Sequence, residues 1–262
     1  MVQNFGFVKV AAAVPGVEVA DCRYNTQEIA RQITEAERLG VQIIVFPELS
    51  ITAYTCADLF GHTLLIEQAQ QALLQLLDAT ASCPLLCVAG MPVAWGNSLY
   101  NCAVAFQRGQ ILGVVPKSYL PNYKEFYEER WFASGLAVTG ETVDLCGRRA
   151  PFGTDLLFES GGAVVGIELC EDLWVPIPPS SYQARQGADI LLNLSATNEL
   201  IGKHHYLLSL LQQQSARCLA GYVYASAGFG ESSTDLVFAG NGIVVENGSI
   251  LAQTERFVQA PR

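Results

Sequence analysis

Apolar and polar positions alternate along this chain in two patterns, one typical of buried strands and the other of amphipathic helices. Largely apolar runs at 41–46, 85–90 and 188–194 lie next to glycine or proline and predict buried strands. Segments 62–81 and 204–219 carry apolar residues at helical spacing and predict helices. Strands that alternate with helices in this way are typical of the α/β class.

The segments between these elements extend the same alternation. Asn25, with Glu28 three positions later, predicts a capping box at the start of a helix that ends at Gly40. The other predicted elements are a first strand at 5–14, a hairpin formed by 99–106 and 111–115, a strand that ends at Cys170, a helix at 180–186, a strand at 222–227, and short strands after 236.

Alternating helices and strands together with a hairpin predict two mixed β-sheets with helices on their outer faces. Segments 38–46 and 185–193 follow the same plan of helix end, glycine, strand and loop, which suggests two related halves. A generic helix–strand pattern would also explain so short a match. Because no linker rich in proline, glycine or serine divides the chain, we expect one domain over residues 1–262.

Composition narrows the class of protein. The net charge of −10, from 15 basic and 25 acidic residues, argues against a general binder of nucleic acid or of anionic membranes. No apolar run approaches the length of a membrane span, and the start of the chain lacks the basic residues of a secretory signal, so we expect a cytoplasmic protein. The high hydrophobic fraction of 50% is compatible with large subunit interfaces.

Cysteine and histidine spacing gives no metal pattern. The eight cysteines are scattered without a Cys-x-x-Cys pair, and the three histidines form no pair at ligand spacing. We therefore expect reduced thiols, no metal site and no cofactor.

Three polar groups follow the ends of predicted strands: Glu48, Lys117 and Cys170. A carboxylate, an ammonium and a thiol together can attack an amide, with Glu48 as base, Lys117 as oxyanion stabiliser and Cys170 as nucleophile. Because Glu171 and Asp172 beside Cys170 would raise its pKa, this stretch calls for a nearby cation, and Lys117 supplies one. Taken alone, each has a simpler interpretation: a core cysteine, a surface carboxylate and a solvated lysine.

The order and surroundings of these three residues resemble the nitrilase superfamily, and most closely the glutamine-hydrolysing domains of glutamine-dependent NAD synthetases. The most specific stretches are 46–60, 117–132 and 168–174, and the resemblance covers nearly the whole chain. It implies a four-layer αββα sandwich and the Glu48–Lys117–Cys170 triad. It also implies Glu125 as a second acid beside the lysine and nucleophile.

The resemblance further implies a pocket that holds the α-ammonium and α-carboxylate of L-glutamine. Its expected substrate-binding residues are Tyr54, Tyr123, Glu128, Glu171, Trp174, Thr197 and Lys203. The aromatic members would equally suit an ordinary core, and Lys203 would suit the solvated start of a helix. Related domains often carry serine at the Thr197 position and arginine or lysine at the Lys203 position.

The function implied is hydrolysis of L-glutamine to glutamate and ammonia through a thioester, with the ammonia supplied to an ATP-dependent NAD synthetase domain. The phosphate loop of such a domain is missing, since Ser160-Gly161-Gly162 continues into the strand before Cys170. The resemblance also suggests a homo-oligomer. One alternative is a free-standing carbon–nitrogen hydrolase for another ω-amide, carbamoyl group or nitrile, and another is an assembly scaffold with a silent site.

Overall fold

A computed structural model describes residues 6–259 of the chain. Within them, the first sheet has the strand order β1-β2-β3-β4-β5-β7-β6. Strands β1, β2 and β3 are parallel, the β3–β4–β5 meander is antiparallel, and β7 pairs parallel with β5 and antiparallel with β6. The strands are β1 (Val10–Ala12), β2 (Ile43–Val45), β3 (Leu86–Trp95), β4 (Ser98–Gln107), β5 (Gln110–Pro116), β6 (Glu141–Leu145) and β7 (Arg148–Phe152).

The second sheet is also mixed and has the order β13-β12-β11-β10-β9-β8. Its three central strands β9, β10 and β11 are parallel, and the outer strands pair antiparallel. The strands are β8 (Leu157–Ser160), β9 (Ala163–Leu169), β10 (Ile190–Ser195), β11 (Gly221–Ser226), β12 (Gly242–Glu246) and β13 (Ser249–Gln253).

Four α-helices within the described residues cover the outer faces of the two sheets: α1 (Cys22–Arg38), α2 (Thr63–Ala79), α3 (Pro179–Arg185) and α4 (Lys203–Cys218). Apolar residues of α1 and α2 share a core with the outward side chains of the first sheet, such as Ile44. Those of α4 pack on the second sheet, for example against Leu191, and α3 lies against β9 of the same sheet. The layers therefore follow the order helix, sheet, sheet, helix.

The two sheets pack face to face through alternate residues of their central strands. Ile43 and Val45 of β2 meet Leu192 and Leu194 of β10 in one buried cluster, whereas their sequence neighbours face the helices. This period-two alternation in runs that are apolar on both faces is what a sheet covered on both sides requires. The predicted four-layer αββα sandwich is confirmed.

The predicted capping box at Asn25 is wrong. Helix α1 begins at Cys22, and Asp21 caps it by accepting a hydrogen bond from the backbone N–H of Tyr24 at 2.9 Å. Asn25 lies inside the helix with a fully buried amide, which donates to the carbonyls of Glu18 and Ile51. Asn25 therefore joins the helix to a loop instead of starting the helix.

The first strand is shorter than expected, since β1 covers Val10–Ala12, and the predicted start at Phe5 lies outside the described residues. Strands β6, β7 and β8 were not predicted, because each has only four or five residues and carries charged side chains on its exposed face. The two segments of similar plan do occupy equivalent places: β2 and β10 each follow a helix and a left-handed glycine, and each has parallel partners on both sides.

Candidate active site

Cys170 lies at the carboxyl end of β9, where the chain turns into the 3-10 helix Cys170–Leu173. Its φ of 43° is in the left-handed region, which is costly for a residue with a Cβ and is found mainly where surrounding structure enforces it. The buried Asp172 carboxylate supplies such a constraint. It accepts hydrogen bonds from the backbone N–H of Leu169 at 3.0 Å and of Tyr119 at 2.8 Å. The turn is thereby tied to the segment that follows Lys117.

Glu48 follows β2 on the first sheet and is fully buried. Its Oε1 accepts hydrogen bonds from Lys117 Nζ at 2.6 Å and from Asn101 Nδ2 at 2.7 Å. Its Oε2 has no hydrogen-bond partner within residues 6–259. A buried carboxylate that is held through one oxygen and free at the other is suited to accept a proton from a third group.

Lys117, at the end of β5, is also fully buried and lies between two carboxylates. Its Nζ contacts Glu48 and both oxygens of Glu128, at 2.8 and 2.9 Å. Burial alone would lower the pKa of Lys117, but the charges of Glu128 and Glu48 outweigh this effect and raise it well above its ordinary value. The lysine is therefore a fixed positive charge at this position.

For Glu128, unlike Lys117, the surroundings favour the neutral form over the charged form. Burial raises the pKa of its carboxyl to about 7, and the Lys117 charge opposes this rise. The Tyr54 hydroxyl donates to Glu128 Oε1 at 2.7 Å and fixes its orientation. Two carboxylates with one ammonium leave a buried net negative charge when both acids are ionised, so protonation of one of them near neutral pH relieves the repulsion.

The Cys170 thiol lies beside this charged group and is almost completely buried. Burial raises its pKa, and the Glu48 charge raises it further, while the Lys117 charge acts in the opposite direction. The resting sulfur is therefore a thiol, and its ionisation has to be coupled to proton transfer to a base. Its Sγ is 3.8 Å from Thr197 Oγ1, which accepts a hydrogen bond from the Tyr224 hydroxyl at 2.7 Å. Because Thr197 Oγ1 accepts from Tyr224, the hydroxyl hydrogen of Thr197 does not point towards Tyr224.

A cavity of about 210 Å³ opens in front of Cys170 and contains both an acid and a cation. Glu171 accepts hydrogen bonds from the Tyr123 hydroxyl at 3.1 Å, and burial raises its pKa although this bond lowers it. Lys203 Nζ lies 5.0 Å from the centroid of the Trp174 ring. The other lining residues include Thr197, Asn198, Glu125 and Phe126. Such a cavity can hold a small zwitterion, with an amide at Cys170 and its charged groups at Glu171 and Lys203.

A family model for carbon–nitrogen hydrolases matches residues 9–259, which is nearly the entire chain. The chain belongs to this family. The triad geometry described above thus occurs in a protein family named for the cleavage of carbon–nitrogen bonds.

Several full-length relatives share this hydrolase region. The chain is 42% identical over 255 residues to the glutamine-dependent NAD(+) synthetase of Mycobacterium leprae, covering 96% of this chain and 37% of that protein. It is 31% identical over 259 residues to the enzyme of the same name from Rattus norvegicus, covering 95% and 35%. The chain therefore spans little more than a third of the curated relatives it matches.

Solved structures agree with the fold of this carbon–nitrogen hydrolase. The crystal structure of a glutamine-dependent NAD(+) synthetase from Cytophaga hutchinsonii superposes with a TM-score of 0.87 at 27% identity, covering 97% of this chain and 42% of that one. An amidase from Nesterenkonia sp. AN1 superposes with a TM-score of 0.78 at 19% identity, covering 98% and 91%. The second likeness concerns the fold alone.

The structure brings the three predicted triad residues together, although they come from two sheets. Tyr123, Glu171, Trp174, Thr197 and Lys203, which the resemblance assigns to substrate binding, line the cavity at Cys170. The roles of these residues stay predictions.

The positions expected for Glu125 and Glu128 need correction. Glu128, and not Glu125, contacts Lys117, because the 3-10 turn Glu128–Arg130 directs the first carboxylate inward. Glu125 lines the cavity and accepts a hydrogen bond from Asn198. Tyr54 binds Glu128 and does not line the Cys170 cavity. Glu128 and Tyr54 thus lie beside the lysine, and their expected contact with the substrate stays a prediction.

Three residues at this site escaped the sequence interpretation: Asn101, Asn198 and Tyr224. Asn101 is a fully buried polar residue in the centre of β4, directly before the apolar run 102–106, and this polarity was the available signal. Asn198 directly follows Thr197, yet its two charged partners come from other segments. Within residues 6–259, no group of three or more metal-ligating side chains is found, and no helix is long and apolar enough to cross a membrane.

Proposed function

We propose that this domain hydrolyses the side-chain amide of L-glutamine to glutamate and ammonia through a thioester on Cys170. The observation that carries the proposal is the joint placement of Cys170, Lys117 and Glu48 at one end of the sandwich, beside a cavity that contains both a cation and an acid. The related NAD synthetases, which are named as glutamine-dependent, support the choice of substrate.

Glu48 is the proton carrier of the proposed reaction. Its Oε2 takes the thiol proton as Cys170 Sγ attacks the amide carbon, and the Lys117 ammonium stabilises the negative charge that forms on the carbonyl oxygen. Glu48 then returns the proton to the departing nitrogen, and ammonia leaves. In the second half, Glu48 takes a proton from a water molecule as the water oxygen attacks the thioester carbon. Glu48 then returns this proton to the Cys170 sulfur as the C–S bond breaks and glutamate forms.

The other end of glutamine carries a carboxylate and an ammonium. Lys203 is proposed to bind the α-carboxylate, while Glu171 binds the α-ammonium and Tyr123 and Trp174 shield the site from water. The half-buried position of Lys203 strengthens this attraction, because two charges attract more strongly where water is partly excluded.

The ammonia is proposed to serve an ATP-dependent synthetase domain that amidates the nicotinic acid moiety of deamido-NAD. The longer relatives support this partner, since each continues well beyond the matched region. Action without a metal or cofactor, a cytoplasmic location, a single domain and a homo-oligomeric state stay predictions.

The proposal is tested by labelling with a diazo-ketone analogue of glutamine followed by peptide mass spectrometry. We expect stoichiometric modification of Cys170 that excess L-glutamine blocks, and none in Cys170→Ala. Cys102→Ala, at a fully buried thiol in β4, is the matched control and should label normally.

Labelling spread over several cysteines, or labelling that glutamine does not block, would contradict the choice of substrate. The alternatives would then be another ω-amide or carbamoyl substrate, or a silent scaffold. Ammonia release from a panel of amides separates these two, because the scaffold releases none.

A further inference from the structure

Asn198 connects two oppositely charged side chains that line the Cys170 cavity, Lys203 and Glu125. Its Oδ1 accepts a hydrogen bond from Lys203 Nζ at 2.5 Å, and its Nδ2 donates to Glu125 Oε1. Asn198 is 3% exposed, so water contributes little to its environment. An amide offers an acceptor for an ammonium and a donor for a carboxylate on two separate atoms of one short side chain.

Lys203 forms no salt bridge with a carboxylate in the part of the chain that the structure describes. Among residues 6–259, no acid lies within 4.0 Å of Lys203 Nζ, although the charges of Glu125, Glu171 and Glu199 are near enough to attract it. Burial lowers the pKa of Lys203, and the charges of these acids offset part of that decrease. Besides Asn198, its other contacts are the faces of the Trp174 and Phe126 rings, at 5.0 and 5.9 Å. This ammonium is oriented but not neutralised.

We propose that Asn198 is the positioning residue that makes the cavity selective for an amide bearing an α-carboxylate. It holds Lys203 in the position to receive that carboxylate and, as a neutral bridge, keeps Lys203 from pairing with Glu125. A salt bridge between Lys203 and Glu125 would neutralise Lys203, and the substrate carboxylate would then find no free positive charge. This inference rests on the proposed hydrolysis of glutamine.

Replacing Asn198 by Asp keeps the shape of the side chain but changes the charge. The new carboxylate pairs with Lys203 and competes with the substrate carboxylate. We expect the KM for L-glutamine to rise at least ten-fold while kcat stays within about three-fold, because the triad is untouched. A substrate without the carboxylate should not be affected in this way.

The experiment compares two amides on the full domain. L-Glutamine carries the α-carboxylate, and 4-aminopentanamide has a methyl group in its place. Wild-type protein should prefer L-glutamine by kcat/KM, and Asn198→Asp should reduce this preference at least ten-fold. Asn241→Asp is the matched control: this buried amide donates to Glu199, does not line the cavity, and should leave the preference unchanged.

Asn198→Asp also places a second carboxylate beside Glu125, so the midpoint of thermal unfolding of this variant is measured together with its kinetics. If it fails to fold, the double variant Asn198→Asp/Glu125→Gln removes that repulsion and keeps the new acid beside Lys203, and the same loss of preference is expected.

The two failures are distinguishable. A wild-type protein that shows no preference for L-glutamine contradicts both the proposed function and this inference. A wild-type preference that survives in the folded variant, or a parallel fall for both amides, overturns the role of Asn198 alone and leaves glutamine hydrolysis standing.

Discussion

At the scale of single residues, the site depends on buried charges that the protein compensates unequally. Lys117 is fixed by two carboxylates, yet Oε2 of Glu48 has no hydrogen-bond partner within residues 6–259. Glu128 also contacts Lys117 and has a pKa of about 7, so its protonation near neutral pH changes the net charge of this buried group. A thiol whose pKa is raised by burial suits this arrangement, since it reacts only when a base is positioned to receive its proton.

Sequence reasoning reached the triad because each member ends a strand and differs in polarity from what precedes it. It misplaced Glu125 and Glu128, since both follow Lys117 in the same irregular segment and only the conformation of the turn decides which one faces inward. It missed Asn198 because the importance of this side chain lies in its contacts with Glu125 and Lys203, which no local pattern displays.

Asp172 gives a prediction about pH at this scale. Burial raises its pKa to about 8, despite the backbone N–H groups that favour its ionised form. Between its ordinary pKa of 3.8 and about 8, the folded state keeps a proton that the unfolded state has lost. The group therefore stabilises the fold at low pH, and this contribution falls as pH rises through that window.

Asp172→Asn removes this titration. We expect the unfolding free energy of the variant to fall less steeply between pH 5 and 8 than that of the wild type, as measured by urea denaturation. The variant should also lose about 1–3 kcal/mol through imperfect pairing with the N–H of Leu169 or Tyr119. Asp155→Asn, at an exposed carboxylate that accepts from Gly140, is the control. Parallel pH curves for wild type and Asp172→Asn would contradict the assignment.

At the scale of elements, the loop that carries Glu48 is held by close backbone contact with β3. A Cβ on Gly90 would lie 2.8 Å from the Glu48 carbonyl carbon and closer still to the Leu49 nitrogen. The carbonyl of Gly90 also accepts from the N–H of Ile51 at 3.0 Å. Because these neighbours are backbone, they cannot move aside as the end of a flexible side chain would.

Gly90→Ala should therefore displace Glu48. We expect a loss of about 1–3 kcal/mol in stability, the usual cost of overpacking, together with a fall of at least ten-fold in kcat for amide hydrolysis. Gly221→Ala in β11, whose Cβ would meet nothing nearer than 3.8 Å, should change both values little. If Gly90→Ala retained full kcat, the position of Glu48 would not depend on this contact.

The same scale shows why some elements were predictable. Strands β2, β9 and β10 are buried on both faces, so they form largely apolar runs that are visible in the sequence. The short strands β6, β7 and β8 have one exposed face and few residues, and their pairing depends on distant partners. The start of α1 was misjudged because Asn25 and Asp21 are both good caps, and a tertiary contact to Ile51 decides between them.

At the scale of the whole molecule, the reaction depends on how the two sheets pack. Glu48 and Lys117 belong to the first sheet, whereas Cys170 and Thr197 belong to the second. Their relative position is set by the apolar layer between the sheets and by cross-links such as the hydrogen bond from the N–H of Glu48 to the carbonyl of Ser195, at 3.3 Å. Packing far from the chemistry thus controls the distance between base and nucleophile.

Truncation of a side chain in this layer tests that dependence. Leu192→Ala, at a fully buried position of β10, should lower the unfolding free energy by about 2–5 kcal/mol. Labelling of Cys170 by the diazo-ketone should also slow under conditions where circular dichroism shows the variant folded. The reason is that the space left by the missing Leu192 side chain lets the two sheets shift. Leu251→Ala in β13 removes the same atoms from a side chain that is 59% exposed, and should stay within about 0.5 kcal/mol of the wild type with unchanged labelling. A folded Leu192→Ala variant that labels at the wild-type rate would show that the cross-links at the strand ends alone maintain the site.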